Sequence, residues 1–398
     1  MLVIAAPGQG AQTPGFLAPW LELPGVADRV AAWSELAGRD LIRFGTVADA
    51  DEIRDTAVAQ PLLVAAALAA ASVLGVAARV HAGIAAGHSV GELAAGAVSG
   101  VVTGDDAMRL VGVRARAMAK AAAADSTSMT AVLGGDEAEV LACIERHGLT
   151  PANINAAGQI VAAGTLAQLE AFAADPPQRA KLRPLSVAGA FHTVHMAPAV
   201  EDLQAAAQTV TVRDPVLTVL SNRDGAAIRT GADWLERIVT QVSAPVRWDM
   251  CMQTMRTLQA TAFIELPPAG TLIGLARRAL PGVALLGLKS PADLDSARAL
   301  LLEHAGSHSD SHAPEWRLLV AQQAGTFRAV PQADGRPGLS VGSGTVFGAS
   351  TVLGQIEVRG GAHPVITDFP ATIIEWLVED GDPVNPGQPL VRLQPTDQ

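Results

Sequence analysis

The chain reads as an α/β protein followed by a small all-β unit, and three observations predict this. Across the first three hundred residues, short apolar runs of strand length alternate with longer helical stretches, the rhythm of an α/β layer fold. Between about residues 125 and 187 that rhythm shortens, as if a small subdomain were inserted. Residues 315–398 change character again, with many short β-type runs, turn glycines and few helix formers. A length of 398 residues leaves room for two or three folded units, and 49% hydrophobic content supplies sizeable cores.

Taken in order, residues 2–6 (LVIAA) form a strand stopped by Pro7-Gly8-Gln9-Gly10-Ala11-Gln12. A G-x-G without a third glycine or a Lys-Ser/Thr is a weak nucleotide signal; the loop could instead lay N–H groups beside a reacting centre. Helical periodicity returns at 27–37, 62–80, 90–98 and 105–124. The stretch 62–78 is the one transmembrane candidate, but it is largely alanine, follows Gln60-Pro61 and runs into Arg79, so it reads as a buried core helix starting at the proline. Residues 82–86 (AGIAA) make a strand, and Gly87-His88-Ser89-Val90-Gly91-Glu92 follows it directly before the helix 90–98. A serine between a strand and a helix, with glycines two residues to either side, is the pattern of a nucleophile elbow. The pattern alone leaves a chance match in a loop open; the flanking elements favour the elbow.

In the inserted stretch, 129–133 reads as a strand, 136–147 as a helix, 154–163 as a strand or hairpin, 166–174 as a helix and 181–187 as a strand, a ferredoxin-like series. The chain returns through Gly189-Ala190-Phe191-His192-Thr193, which would hang the insert over the serine. Then come a strand at 216–220, helices at 234–241 and 249–258, a strand at 261–266, a helix through Arg278 and a strand at 284–288. Residues 305–314 (AGSHSDSHAP) read as a linker. His304, His308 and His312 fall at i, i+4 and i+8, but the surrounding Gly, Ser and Pro oppose a helix, so solvated linker histidines are expected rather than a metal site. In the last unit Gly342 and Gly348, and Gly381 and Gly387, are each six apart, which suggests two similar halves of a flattened β-barrel. The expected domains are 1–304, with a large core of 1–124 and 188–304 and a small subdomain of 125–187, then a linker of 305–314 and a domain of 315–398.

A net charge of −11 with no basic stripe argues against nucleic-acid binding. Cys143 and Cys251 are the only cysteines and lack metal-type spacing, which fits a reducing cytosol. The start, MLVIAAPGQGAQ, has no basic n-region and does not read as a signal peptide. No membrane span, metal or redox cofactor is implied.

A nucleophile such as Ser89 needs a base, an oxyanion hole and a hold on the acyl group. His88 adjoins Ser89, but neighbours around an elbow point apart. His192 lies in a loop after a strand, where catalytic residues often sit, although residue pattern alone favours a satisfied surface histidine. Arg114 likewise could belong to a solvated helix face with Arg109 and Arg116.

Seven motifs in order shift that balance: PGQGAQ at 7–12, VAQPLL at 58–63, GHSVGE at 87–92, LVGVRARAM at 110–118, NINAAGQIVAAG at 153–164, GAFHT at 189–193 and QVSAPVRW at 241–248. Over roughly residues 1–300 the chain resembles the malonyl-CoA:acyl carrier protein transacylases of actinobacterial type. The resemblance implies an α/β-hydrolase-like acyltransferase core, with Ser89 as the malonylated nucleophile and His192 as general base and acid. It further implies an oxyanion hole from the N–H groups of Gln9 and Val90, and Arg114 paired with the malonyl carboxylate. Gln60 would line the acyl pocket, the carbonyl of Gln241 would orient the imidazole, and Phe191 would crowd out branched acyl groups. The substrates would be malonyl-CoA and a holo acyl carrier protein, in fatty-acid or polyketide synthesis, with Arg179, Lys181, Arg183, Arg277 and Arg278 as candidate contacts for the acidic carrier. A serine hydrolase or thioesterase shares the elbow and histidine and is the alternative. One departure is Leu266-Pro267-Pro268-Ala269-Gly270, where family members often carry Gly-Pro-Gly.

Residues 315–394 resemble a biotinyl or lipoyl carrier domain through AGTFRAV at 324–330 and LVEDGDPVNPGQPLVRL at 377–393. No lysine occurs after Lys289, and the hairpin position reads Gln355-Ile356-Glu357-Val358-Arg359-Gly360-Gly361, so no biotinyl or lipoyl amide can form there. A degenerate module that docks an acyl-CoA carboxylase component and an inert appendage are both open readings.

Overall fold

A computed structural model describes residues 1–74, 82–305, 317–329, 346–348, 350–358, 360–367, 370–378, 380–386 and 388–395, in two compact units, Met1–Ser307 and His308–Gln398. The first unit holds two sheets. Its strands are β1 Leu2–Ala6, β2 Ala82–Gly87, β3 Thr127–Gly134, β4 Thr150–Ala156, β5 Gln159–Thr165, β6 Ala180–Pro184, β7 Thr218–Leu220, β8 Ala227–Ile228, β9 Val246–Arg247, β10 Ala262–Glu265 and β11 Ala284–Gly287.

The larger sheet runs β11-β10-β1-β2-β7-β8 and is parallel apart from β8. All five residues of β1 are buried, which is why it reads as a continuous apolar run rather than an alternating one. Successive side chains point to opposite faces. Leu2 and Ile4 join a core with Trp20, Leu62, Leu93 and Leu110, whereas Val3 and Ala5 join one with Trp248, Met252, Phe263 and Leu272.

The central helix is Thr56–Leu74, so it starts before Pro61 and not at it. Asp55 sets the start: its carboxylate accepts from Ala57 N at 2.8 Å, and its carbonyl accepts from Val58 N and Ala59 N. Pro61 therefore lies inside the helix, where it removes one backbone donor. The helix is long and apolar enough to cross a membrane by length and composition, yet most of it is buried in this unit. Being covered on all sides, it needs no polar stripe. Residues 75–81, the expected end of that helix, lie outside the described residues.

The second sheet of this unit runs β6-β3-β5-β4-β9. Strands β3 to β6 pair antiparallel and are joined through the helices Glu137–Arg146 and Leu166–Ala174. Asp136 caps the first helix and a Thr165–Gln168 capping box starts the second. The run 154–163 resolves as a hairpin, turning at Gly158 with φ 71°, and the last strand stops at Pro184 rather than Val187. Sequence reading did not foresee β9, which pairs parallel with β4 (Asn153 with Val246, Ile154 with Arg247).

Helices Ala197–Ala207 and Leu294–Ala305 were likewise not foreseen. His304 belongs to the latter and hydrogen-bonds Thr261 Oγ1 at 2.9 Å, which corrects its reading as a solvated linker histidine. His308 and His312 lie outside the described residues.

The strands of the second unit are β12 Arg317–Val320, β13 Gly325–Ala329, β14 Val346–Phe347, β15 Val352–Val358, β16 Gly361–Ile366, β17 Ala371–Trp376, β18 Pro383–Val384 and β19 Pro389–Pro395. They form two antiparallel sheets, β12-β19-β17-β14 and β16-β15-β13-β18, over cores that include Phe327, Ile356 and Leu390 in one cluster and Leu353, Ile373 and Leu393 in the other. Gly342, Arg359 and Gly387 lie outside the described residues.

Candidate active site

Strand β2 ends at Gly87 and the helix Gly91–Val98 begins four residues later, leaving Ser89 at φ 53°. A left-handed serine is strained, and surrounding contacts must hold it there. The turn leaves no room for side chains at its glycines. A Cβ on Gly87 would lie 1.9 Å from the Gly91 carbonyl carbon, and one on Gly91 2.3 Å from the Ala6 carbonyl oxygen.

His192 reaches the serine from the loop that follows β6, with its Nε2 2.8 Å from Ser89 Oγ. Its Nδ1 is 3.1 Å from the carbonyl oxygen of Gln241, at the end of the helix Gly231–Gln241. A proton on Nδ1 donates to that carbonyl and leaves Nε2 to accept from the serine hydroxyl. Arg114 projects from the inner face of the helix Gly104–Ala122 and is only 2% exposed, so it does not share a solvated face with Arg109. Its Nη1 donates to Gln60 Oε1, and its Nη2 donates to Gln241 Oε1 at 2.9 Å and to Ser89 Oγ at 3.2 Å. These acceptors are all neutral oxygens, an unusual setting for a buried guanidinium.

Ser89, His192, Arg114 and Gln60 open on a cavity of about 230 Å³ whose lining also includes Gln9, Val90 and Phe191. Thus Ser89, His192, Arg114, Gln60, Gln9, Val90 and Phe191 converge there, and Gln241 stands behind the imidazole. His88 does point away: its Nε2 meets Asn155 Oδ1 at 2.8 Å and its ring packs edge-on against Trp248. The cluster Arg179, Lys181, Arg183, Arg277 and Arg278 is exposed.

Three buried residues were not legible from sequence. Asn222 and Glu92 meet behind the elbow across 130 positions, and Glu265 accepts from Gly270 N, Leu272 N and Ile273 N, so it caps the helix Thr271–Ala279 beside the departed Gly-Pro-Gly turn. No local motif announces a contact of that separation.

Burial dominates the electrostatics. It lowers His192 to about 3, with the Arg114 charge the next cause, so the imidazole stays neutral at neutral pH. Arg114 is lowered by burial to about 10, partly opposed by Glu92, and remains charged. Glu92 is raised by burial to about 8, against the pull of the Asn222 N–H and of Arg114, and is mostly protonated at neutral pH. A neutral imidazole, a hydroxyl and a fixed cation beside an apolar cavity suit acyl transfer from an acid-bearing acyl donor.

The acyl transferase domain family matches residues 6–296. The chain is 55% identical over 300 residues to the malonyl CoA-acyl carrier protein transacylase of Mycobacterium tuberculosis H37Rv, covering 74% of this chain and 98% of that protein. The crystal structure of MCAT from Mycobacterium tuberculosis superposes with a TM-score of 0.73 at 54% identity, over 75% of this chain and 99% of that one. A malonyl-transacylase in complex with its type II polyketide acyl-carrier protein superposes at 0.70 with 27% identity, over 75% of this chain and 99% of that one.

Proposed function

The chain belongs to the acyl transferase family, and from that premise we propose that Ser89 carries a malonyl group between two thiols. The enzyme transfers malonyl from malonyl-CoA to acyl carrier protein in fatty-acid synthesis. The observation that carries the site assignment is Arg114: a buried cation 3.2 Å from Ser89 Oγ, hydrogen-bonded only to neutral oxygens, awaits a carboxylate.

In the first half-reaction Ser89 Oγ attacks the thioester carbonyl of malonyl-CoA while His192 Nε2 takes the hydroxyl proton. The N–H groups of Gln9 and Val90 receive the oxyanion. Collapse of the adduct expels the coenzyme A sulfur, which takes the proton from His192. The pantetheine thiol of the carrier then attacks the malonyl-serine ester with His192 again as base, and Ser89 recovers its proton. The Gln241 carbonyl orients and supports the imidazolium between these steps. Arg114 grips the free carboxylate as a planar fork, Gln60 holds the guanidinium, and Phe191 narrows the acyl pocket.

We read 125–187 as a ferredoxin-like insert, supported by the antiparallel order β6-β3-β5-β4, and 1–304 and 315–398 as the two domains about a 305–314 linker. We read the second unit as a biotinyl/lipoyl-like module without its lysine, supported by its two four-stranded sheets. For that module, docking of an acyl-CoA carboxylase component and an inert appendage are the two readings; we assign the protein to the cytosol, where its two buried free thiols stay reduced.

Intact-mass spectrometry of protein mixed with malonyl-CoA tests the site. A malonyl adduct is expected on the native chain, absent from Ser89→Ala and passed to added holo carrier protein. Free malonate without an adduct would favour the hydrolase reading. Purified carboxylase subunits that fail to bind the full chain would remove the docking reading.

A further inference from the structure

Ser89 is held in its strained backbone by a residue far away in sequence. Asn222 follows β7, is fully buried, and is hydrogen-bonded at each of its polar groups. Its side-chain Oδ1 accepts from Ser89 N at 2.7 Å and its Nδ2 donates to Gly87 O at 2.8 Å, so one carboxamide grips both flanks of the elbow. Its own backbone N donates to Glu92 Oε1 at 2.8 Å, and its carbonyl accepts from Arg247 N at 2.7 Å. The carboxamide thus cannot follow a relaxing elbow, because its own backbone is pinned on both sides.

We propose that Asn222 is a positioning residue for malonyl transfer, fixing the Gly87–Ser89 backbone so that Ser89 Oγ meets His192 Nε2, a role that rests on Ser89 being the nucleophile. Two physical points carry it. A serine at φ 53° relaxes unless something restrains it, and a shift of about 1 Å at a nucleophile costs on the order of a hundredfold in rate. The Ser89 N–H is also consumed by Asn222, which leaves oxyanion stabilisation to other amides.

The chemistry demands an amide. One edge must accept and the other donate, and aspartate supplies the donor only when protonated. The carboxyl of Glu92 abuts the same residue, so an ionised aspartate would face Gly87 O and an acidic neighbour.

The test is rapid-quench mass spectrometry of the first malonylation turnover across malonyl-CoA concentrations and between about pH 5 and 9, with melting temperatures recorded. The proteins are the native chain, Asn222→Asp, Asn222→Ala and Ser89→Ala. Both Asn222 variants are expected to lose about a hundredfold in the saturating rate while half-saturation stays within about threefold. Asn222→Asp is expected to regain rate as pH falls, because its protonated acid again donates to Gly87 O, whereas the native rate lacks that recovery. A folded Asn222→Asp that malonylates within about threefold of native across the range, or a loss confined to half-saturation, overturns the proposal. Should Asn222→Ala fail to fold, Asn222→Asp decides. Malonylation of Ser89→Ala would instead overturn the nucleophile assignment beneath it.

Discussion

The two units bury different kinds of side chain. The first buries Glu92, Arg114, His192, Gln60, Gln241, Asn222 and Glu265, while among the described residues of the second the buried polar side chain is that of Thr367. Buried ionisable groups are costly and persist where they are hydrogen-bonded and useful. On the second unit Arg328 pairs with Glu357 and Asp380 at the surface. Among the described residues, the buried ionisable groups therefore lie in the first unit.

The sharpest way to break that contrast is at Arg114. Arg114→Ala should reduce kcat/KM for malonyl-CoA about a thousandfold, the scale of about 4 kcal/mol for losing one partner of a desolvated charge pair. Acetyl-CoA loading should fall far less, and steady-state transfer with both donors measures the difference.

The next effect is in pH. His192 must be neutral to act as base, and its pKa lies near 3, below the usual 6.5, so lowering pH toward 5 should not impose an acid limb on kcat/KM. Removing the Arg114 charge takes away one cause of that depression, so the limb should move upward in Arg114→Ala. A limb near pH 6.5 in the native enzyme would show that the imidazole is more hydrated than its burial implies.

Glu92 gives a smaller signal in stability. Its folded pKa of about 8 exceeds the ordinary 4.5, so its contribution is full below about pH 4.5 and is lost as pH rises toward 8. Glu92→Gln should flatten that part of the profile in urea denaturation at a series of pH values, and an unchanged slope would reassign the dependence. The smallest effect is expected from removing residues 308–398. The transacylase of Mycobacterium tuberculosis H37Rv is matched over 98% of its length by 74% of this chain, so transfer to free carrier protein should change by less than about threefold. A large loss would mean that the second unit serves the chemistry after all.

Legibility followed sequence separation. Ser89 and its strand-turn-helix setting were readable because the glycines, strand and helix are contiguous. The alternation of strands and helices through the first unit was readable for the same reason. His192, Arg114 and Gln241 were single polar residues whose roles came only with the resemblance. Their burial depends on helices that pack from distant parts of the chain. Asn222 and Glu92 were invisible because their value lies in contacts across more than a hundred residues. The start of the central helix was misplaced since proline is a familiar first-turn residue, yet Asp55 supplies a better cap one turn and more upstream. Strand β9 was missed because two residues in Pro245-Val246-Arg247-Trp248 show no periodicity, and only the edge of β4 makes them a strand.

That two-residue strand has a mechanical consequence. The carbonyl that holds His192 belongs to Gln241, and only a few residues later the same chain is stitched to β4 of the second sheet. Asn222, which grips the elbow, accepts from Arg247 at the end of that stitch. β4, the imidazole and the serine are thus three points on one short linkage. A shift of β4 is therefore passed to the base and the nucleophile together.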